Sequence, residues 1–209
     1  MDEARVREGI CRFGRSLFDR GLTHGASGNI TVRLDDGGLL ATPTNVSLGA
    51  LDPGQLSRFN SEGRLVDGPQ PTKEIPLHRA LYEGRGTAGA IVHLHSTYSV
   101  AVSMLPEVDP NDVLPPLTAY YLMRVGRTAL IPYHRPGDES VGAAIRGLAG
   151  RYSAVLLANH GPVVAGTSLE DAVWATEELE ATSKLYLLLR GLQPNLLPAD
   201  AVAALPGET

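Results

Sequence analysis

The run Ala90-Ile91-Val92-His93-Leu94-His95 is apolar until it ends on two histidines spaced two apart. Such a run reads as a buried strand, and side chains two apart on a strand point to the same face. Two imidazoles therefore project together from the end of a core element. A second apolar run, Ala154-Val155-Leu156-Leu157-Ala158, ends on Asn159-His160-Gly161-Pro162, so a third imidazole stands where another strand turns. A lone strand histidine is ordinarily structural and donates to a carbonyl. Three of them at two strand ends form the donor set of an open zinc site, which keeps its fourth position for water or substrate. The fold must then bring these two strand ends together around one ion.

The rest of the chain interleaves helices with strands. Residues 2–20 read as a helix, because Val6, Ile10, Phe13 and Leu17 make one apolar stripe. Residues 29–34 and 39–42 flank the turn signal Asp35-Asp36-Gly37-Gly38 as a hairpin, and residues 57–60 and 63–66 form a second, shorter one. A helix is predicted over about 73–82, with Thr72 as its N-cap and Pro76 in its first turn. Further helices are expected at 97–104 and 140–148, a short helix or turn at 117–123, and a strand at 128–132. The strand 154–158 pairs tightly with 163–166. A long helix over 169–189 begins at Ser168, where Asp171 resembles the partner in a capping box. A small helix at 198–205 closes the chain. Several strand pairs are joined by tight turns, which excludes purely parallel winding. The expectation is α/β: one three-layer domain over residues 1–209, with a mixed, mostly antiparallel central sheet flanked by helices.

Composition narrows the function classes. The 209 residues are 43% hydrophobic, enough for a sizeable core. The formal net charge of -5 comes from interspersed acids and bases, so no nucleic-acid stripe and no polybasic membrane patch is expected. The amphipathic first helix is unlike a signal peptide, and the apolar runs are too short to cross a bilayer. Cys11 is the one cysteine, which rules out an intrachain disulfide and suits a reducing, cytoplasmic compartment. It also leaves nitrogen and oxygen as the donors for any metal.

Other side chains offer chemistry. Glu74 stands in Pro71-Thr72-Lys73-Glu74 at a predicted helix N-terminus, where the helix dipole alone accounts for a carboxylate. Three loops, Gly28-Asn29, Thr44-Asn45 and Thr72-Lys73, supply the amides, hydroxyls and ammonium that a phosphate needs, provided they meet in space. Lys73 and Lys184 are the two lysines of a chain whose other basic residues are all arginine. Tyr120 and Tyr121 are adjacent, a pattern that usually buries one ring and exposes the other; either phenol is a potential proton donor. His24, His78 and His134 read as structural or peripheral, although His78 shares a helix face with Glu74.

Taken together, these residues resemble the class II aldolase/adducin family over nearly the whole chain. The resemblance rests on Gly25-Ala26-Ser27-Gly28-Asn29-Ile30, Thr42-Pro43-Thr44, Pro71-Thr72-Lys73-Glu74, His93-Leu94-His95 and Asn159-His160-Gly161. It implies one zinc ion per subunit on His93, His95 and His160. It implies Glu74 as acid/base, able to ligate the metal before substrate arrives, and substrate phosphate on Gly28, Asn29, Thr44, Asn45, Thr72 and Lys73. It also implies a cyclic homotetramer whose active sites lie between subunits, with a neighbour's tyrosine reaching in; Tyr121 matches that position best and Tyr120 is close behind. Two positions depart from the sugar-phosphate aldolases. Asn45 stands where they carry Gly, and Lys73 where they carry a small hydroxyl residue.

The stretches 118–126 and 132–138, with Leu157-Ala158-Asn159-His160-Gly161-Pro162, are most similar to the branch that decarboxylates 3-oxo-tetronate 4-phosphates in four-carbon sugar-acid catabolism. The expected substrate is therefore a small phosphorylated sugar acid, and Lys73 suits its second negative charge. An aldolase of the fuculose- or ribulose-phosphate type, or a thiosugar-phosphate dehydratase, is the alternative chemistry. An adducin-like interaction module is the non-enzymatic one, and the intact histidine trio speaks against it.

Overall fold

The computed structural model describes residues 2–135, 138 and 140–205. Pro136 and Gly137 of the stretch 132–138 lie outside the described residues, as do both ends of the expected domain 1–209. Eight strands form one sheet: β1 (Asn29–Arg33), β2 (Leu39–Ala41), β3 (Ser57–Phe59), β4 (Leu65–Asp67), β5 (Ala90–His93), β6 (Thr128–Ile131), β7 (Ala154–Leu157) and β8 (Gly161–Gly166). Their order is β4-β3-β2-β1-β5-β8-β7-β6. Every neighbouring pair is antiparallel except β6 with β7. The sheet is thus mixed and mostly antiparallel, as the tight turns require.

Alternation along the strands builds three layers. On one face Ile91, Val155, Leu157 and Val163 pack under α2 (Ile75–Gly84) and α5 (Ser140–Ala149), through Leu77, Leu81 and Ile145. On the other face Ile30, Val32 and Val92 meet α1 (Glu3–Asp19) through Val6, Ile10 and Leu17. Further along that face, Leu156 and Val164 meet α3 (Thr97–Val102), α4 (Ala119–Arg124) and α6 (Leu169–Leu189). A last short helix, α7, spans Ala199–Ala204. Asp2 caps α1 by accepting from Ala4 N–H, and Ser168 caps α6 by accepting from Asp171 N–H. Asp171 itself reaches one residue further back than a capping box would, accepting from Thr167 N–H.

The α2 terminus differs from its expectation. The helix begins at Ile75 rather than near 73, and Glu74 rather than Thr72 occupies the cap position. Pro76 accounts for this: a helix from 73 would need the N–H that proline lacks to bond the Thr72 carbonyl, with which the proline ring would clash, whereas in the first turn of a helix from Ile75 no such bond is required. Thr72 Oγ1 instead accepts from Glu74 N–H in a tight turn just ahead of the helix.

Sheet register gathers the site at one end. Asn29 at the start of β1 stands opposite His93 at the end of β5, and His93 stands opposite Val163 on β8. The β7–β8 turn closes between Leu157 and Gly161, so His160 arrives at the same end. Asn159 adopts a φ of 58° to make that turn, a left-handed conformation that asparagine tolerates better than most residues. Two positions on, residue 161 must be glycine, because an added Cβ at Gly161 would overlap the Leu94 carbonyl oxygen. Gly161→Ala is expected to destabilise the protein by at least about 2 kcal/mol in urea unfolding. A loss under about 0.5 kcal/mol, the range of an ordinary surface substitution, would show that the turn has room.

Candidate active site

His93 is fully buried, and its Nδ1 lies 2.8 Å from the Pro162 carbonyl oxygen. A carbonyl only accepts, so Nδ1 carries the proton and Nε2 presents its lone pair. That Nε2 is 3.2 Å from His95 Nε2 and 3.3 Å from Glu74 Oε2. His160 Nε2 is 3.3 Å from Glu74 Oε1, yet it is buried and makes no hydrogen bond. The three rings meet edge to face, with centroids 4.7, 4.8 and 5.0 Å apart. One ligand atom from each of Glu74, His93, His95 and His160 lies within 4.8 Å of all the others. Tetrahedral coordination with bonds of about 2.0–2.1 Å needs ligand atoms about 3.3–3.4 Å apart. The closest pairs have that spacing. The orphaned His160 nitrogen and the matched donor set fit a divalent metal ion, and this cluster can hold one.

Glu74 does not act as an ordinary helix cap. It occupies the cap position of α2 without any side-chain bond to the helix N–H groups. Its carboxylate turns to the imidazoles and accepts a 2.7 Å hydrogen bond from Asn29 Nδ2. Burial acts to raise its pKa; His93, the Asn29 bond, His160 and His78 outweigh burial and hold it down at about 2. Burial, reinforced by neighbouring imidazoles, lowers His95 and His160 to about 4 despite Glu74. At neutral pH the carboxylate is therefore ionised and these two rings are neutral, the protonation states a metal requires.

The three loops expected to bind an anion meet at this cluster. One cleft of about 430 Å³ is lined by Gly28-Asn29, Thr44-Asn45 and Thr72-Lys73 together with Glu74, His95 and His160. That volume suits a small phosphorylated substrate. The second and third loops are tied side by side by hydrogen bonds from Thr44 N–H to the Gln70 carbonyl and from Thr72 N–H to the Thr42 carbonyl. Asn45 holds a φ of 58°, a left-handed conformation that asparagine tolerates and that glycine, expected at this position from the aldolases, would also adopt. Lys73 is exposed and also lines a smaller cavity on the far side of Glu74, together with Arg135. Asn29 is buried, and part of its amide is committed to Glu74 rather than open to a phosphate.

The tyrosine expectation needs correction. Tyr121 has 0% exposure, and its hydroxyl donates to Thr128 Oγ1 at 2.9 Å. It packs in the core with Val125, Leu156 and Val164, and burial pushes its phenol up. Reaching a neighbouring subunit would require tearing it from that core. Tyr120, by contrast, is 63% exposed, in a groove with Arg124 and Trp174 that is separate from the histidine cleft. His24 and His134 are absent from the cluster, as expected. His78 is not peripheral: it is fully buried, and its Nε2 meets Asn29 Oδ1 behind Glu74. Its spacing of four from Glu74 was the available signal.

An α/β sheet with three histidines from its strand ends and a helix-cap carboxylate gathered into a centre that can hold a metal, beside three loops lining one cleft, points to the aldolase-like class of metal-dependent proteins. Residues 8–187 match the Class II Aldolase and Adducin N-terminal domain, and the chain belongs to that family. It is 48% identical over 188 residues to the 3-oxo-tetronate 4-phosphate decarboxylase of Cupriavidus necator, covering 90% of this chain and 86% of that one. It is 45% identical over 203 residues to the enzyme of the same name from Pectobacterium atrosepticum, covering 97% and 93%. The crystal structure of YgbL from Klebsiella pneumoniae superimposes with a TM-score of 0.96 at 46% identity, covering 99% and 100% of the two chains. An L-fuculose 1-phosphate aldolase superimposes at 0.83 with 25% identity, covering 96% and 94%.

Burial lowers His78 to about 3, helped by His93 and opposed by Glu74. In the unfolded chain a histidine titrates near 6.5. Between those values the unfolded state binds the extra proton, so stability is complete above about pH 6.5 and falls as the pH drops toward about 3. In metal-stripped protein, His78→Gln should flatten that fall by up to about 1.4 kcal/mol per pH unit. Urea unfolding between about pH 7 and about pH 4 checks this, and an unchanged slope would contradict it.

Proposed function

We propose that this chain is a metal-dependent lyase that decarboxylates a 3-oxo-tetronate 4-phosphate to dihydroxyacetone phosphate and carbon dioxide. The observation that carries this reading is the convergence of the imidazole–carboxylate cluster and three anion-binding loops on one cleft. The two decarboxylases at 48% and 45% identity support the same substrate. Zinc is the metal this nitrogen and oxygen donor set suits, held by His93, His95 and His160 with Glu74 alongside. When bound, it supplies Lewis-acid stabilisation of the charge that develops on the substrate.

The chain's own residues do the rest. Gly28, Thr44, Asn45 and Thr72 present amides and hydroxyls to the phosphate at one end of the cleft. The bond between the carboxylate carbon and C2 breaks, its electron pair is taken up through the adjacent 3-oxo group, and C2 gains a proton. Glu74 is ionised in the resting site, so any proton it delivers to C2 is first taken from a substrate hydroxyl or water. Lys73 stands at the cleft rim, where its ammonium attracts the second anionic group. Attraction of that kind favours the charged ground state, so it serves binding more than turnover.

The family's homotetramer is part of this reading. The groove holding Tyr98, Tyr120, Arg124 and Trp174 supports an association surface, and Tyr120 is the phenol free to reach a neighbour's cleft. The lone, half-buried Cys11 supports a cytoplasmic home. No helix among the described residues is long and apolar enough to cross a membrane.

Carbon dioxide release from D- and L-3-oxo-tetronate 4-phosphate tests the reading. Aldehyde formation from a ketose phosphate without decarboxylation would make the chain an aldolase. Bound zinc with background activity on every sugar phosphate would make it an interaction module. His95→Ala should remove metal and activity together. Glu74→Gln should keep the metal and slow turnover by about a hundredfold or more; full activity in that variant would end its acid/base role. Lys73→Ser should raise KM for the acid substrate by about tenfold, the loss of one charge-assisted contact, and affect a neutral ketose phosphate less. Equal weakening of both substrates would assign the lysine to phosphate alone.

A further inference from the structure

Helix α2 and strand β1 face each other through a closed polar seam. Glu74, His78 and Tyr82 recur at steps of four and share one face of the helix, while Asn29, Thr31 and Arg33 recur at steps of two along one face of the strand. The two sets interdigitate. Asn29 Nδ2 bonds Glu74 Oε2 at 2.7 Å, and Asn29 Oδ1 meets His78 Nε2. His78 Nδ1 is 2.8 Å from Thr31 Oγ1, which is 3.1 Å from Tyr82 Oη. Tyr82 Oη also donates to the Thr31 carbonyl at 3.1 Å, and the Arg33 guanidinium lies over the Tyr82 ring, 4.6 Å from its centroid. His78, Thr31 and Tyr82 are buried and stand behind the cleft.

Chemistry fixes the direction of every bond in this seam. An ionised carboxylate only accepts, so the Asn29 atom facing Glu74 is the amide nitrogen. Its oxygen then faces His78, so neutral His78 carries its proton on Nε2 and accepts on Nδ1. Thr31 supplies that second hydrogen, and the single hydroxyl hydrogen of Tyr82 is shared between the carbonyl and hydroxyl oxygens of Thr31. Were the His78 proton on Nδ1 instead, the Asn29 amide would turn over and set its oxygen against the Glu74 carboxylate.

We propose that His78 is a positioning residue for Glu74: its Nε2–H fixes the Asn29 amide so that Asn29 donates to the catalytic carboxylate and holds it in place. His78 touches neither substrate nor metal and acts through Asn29. The role deepens the lyase reading of the same site and rests on it. It also gives Asn29 a task other than the phosphate contact expected from its loop.

Two measurements test this. The first is the long-range ¹H–¹⁵N spectrum of metal-free, ¹⁵N-histidine-labelled protein, which needs neither variant nor activity. The proposal requires His78 in the Nε2–H form, and an Nδ1–H form overturns it. The second compares His78→Leu, which has no donor, with His78→Gln, whose amide can still donate to Asn29. His78→Leu should lower kcat by about tenfold to a hundredfold, while KM and bound metal stay within about twofold. His78→Gln should recover most of the lost kcat. Wild-type kcat in His78→Leu, loss of metal in step with kcat, or no recovery in His78→Gln overturns the proposal. Should His78→Leu fail to fold, the tautomer and the kcat of His78→Gln decide it. A wild-type protein that decarboxylates nothing yet shows the Nε2–H form would sink the lyase reading and leave the seam intact.

Discussion

Asn29 stands opposite His93 in the antiparallel pairing of β1 with β5, and the site depends on that register. Side chains alternate across a sheet, so a slip of one residue sends a whole set to the opposite face. With the observed pairing, His93 and Asn29 face α2, while Ile30 and Val92 fill the core under α1. With a slipped one, Ile30 or Val92 would meet the Glu74 carboxylate and the core would receive an imidazole or an amide. The apolar residues of β1 and β5 therefore hold the polar site in place through their own burial. The β7–β8 turn adds the third imidazole through Asn159 and Gly161, two residues chosen by backbone geometry rather than by side-chain chemistry.

What the register assembles is electrostatically demanding. Three imidazole nitrogens and a carboxylate gather about one small volume, with His93 fully buried and the other three partly buried. Like partial charges at such spacing repel, and burial removes the solvent that would relieve them. A divalent cation would relieve the conflict, and the lowered pKa values of Glu74, His95 and His160 keep proton competition weak near neutral pH. The Pro162 carbonyl on His93 and the Asn29 amide on Glu74 orient two of the four groups in advance.

The sequence was most legible where one local rule governs. The steps of four in α1, the paired histidines of His93-Leu94-His95 and the capping serine of α6 all follow from periodicity or hydrogen-bond chemistry within a few residues. The convergence of His160 with the other two histidines was anticipated from the strand ends. The three loops expected to bind an anion were read singly, and the meeting of the second and third rests on hydrogen bonds between the Thr42–Thr44 and Gln70–Thr72 backbones, which link distant segments. Three features escaped because they depend on tertiary packing. Tyr121 was favoured over Tyr120, yet α4 turns Tyr121 into the core and Tyr120 outward. Glu74 looked locally like a dipole-favoured helix residue, the family resemblance alone marked it for the site, and only the facing strand explains why its carboxylate leaves the cap. His78 read as structural or peripheral, and the sequence could not choose between the two because its partners, Asn29 and Thr31, come from a strand more than forty positions away.

The same centre suits decarboxylation and retro-aldol cleavage, because both leave a negative charge on carbon beside an oxo group. On the proposed reading, discrimination falls to the groups around it, and Lys73, which lines the cleft, is the candidate. The account stands on a metal ion held by His93, His95, His160 and Glu74. The most direct test is a crystal of purified, metal-loaded protein measured on both sides of the metal's absorption edge. The account predicts one anomalous peak per chain, about 2.0–2.2 Å from the Nε2 atoms of all three histidines. No peak at that point in fully active protein, or a peak held elsewhere in the chain, would contradict it.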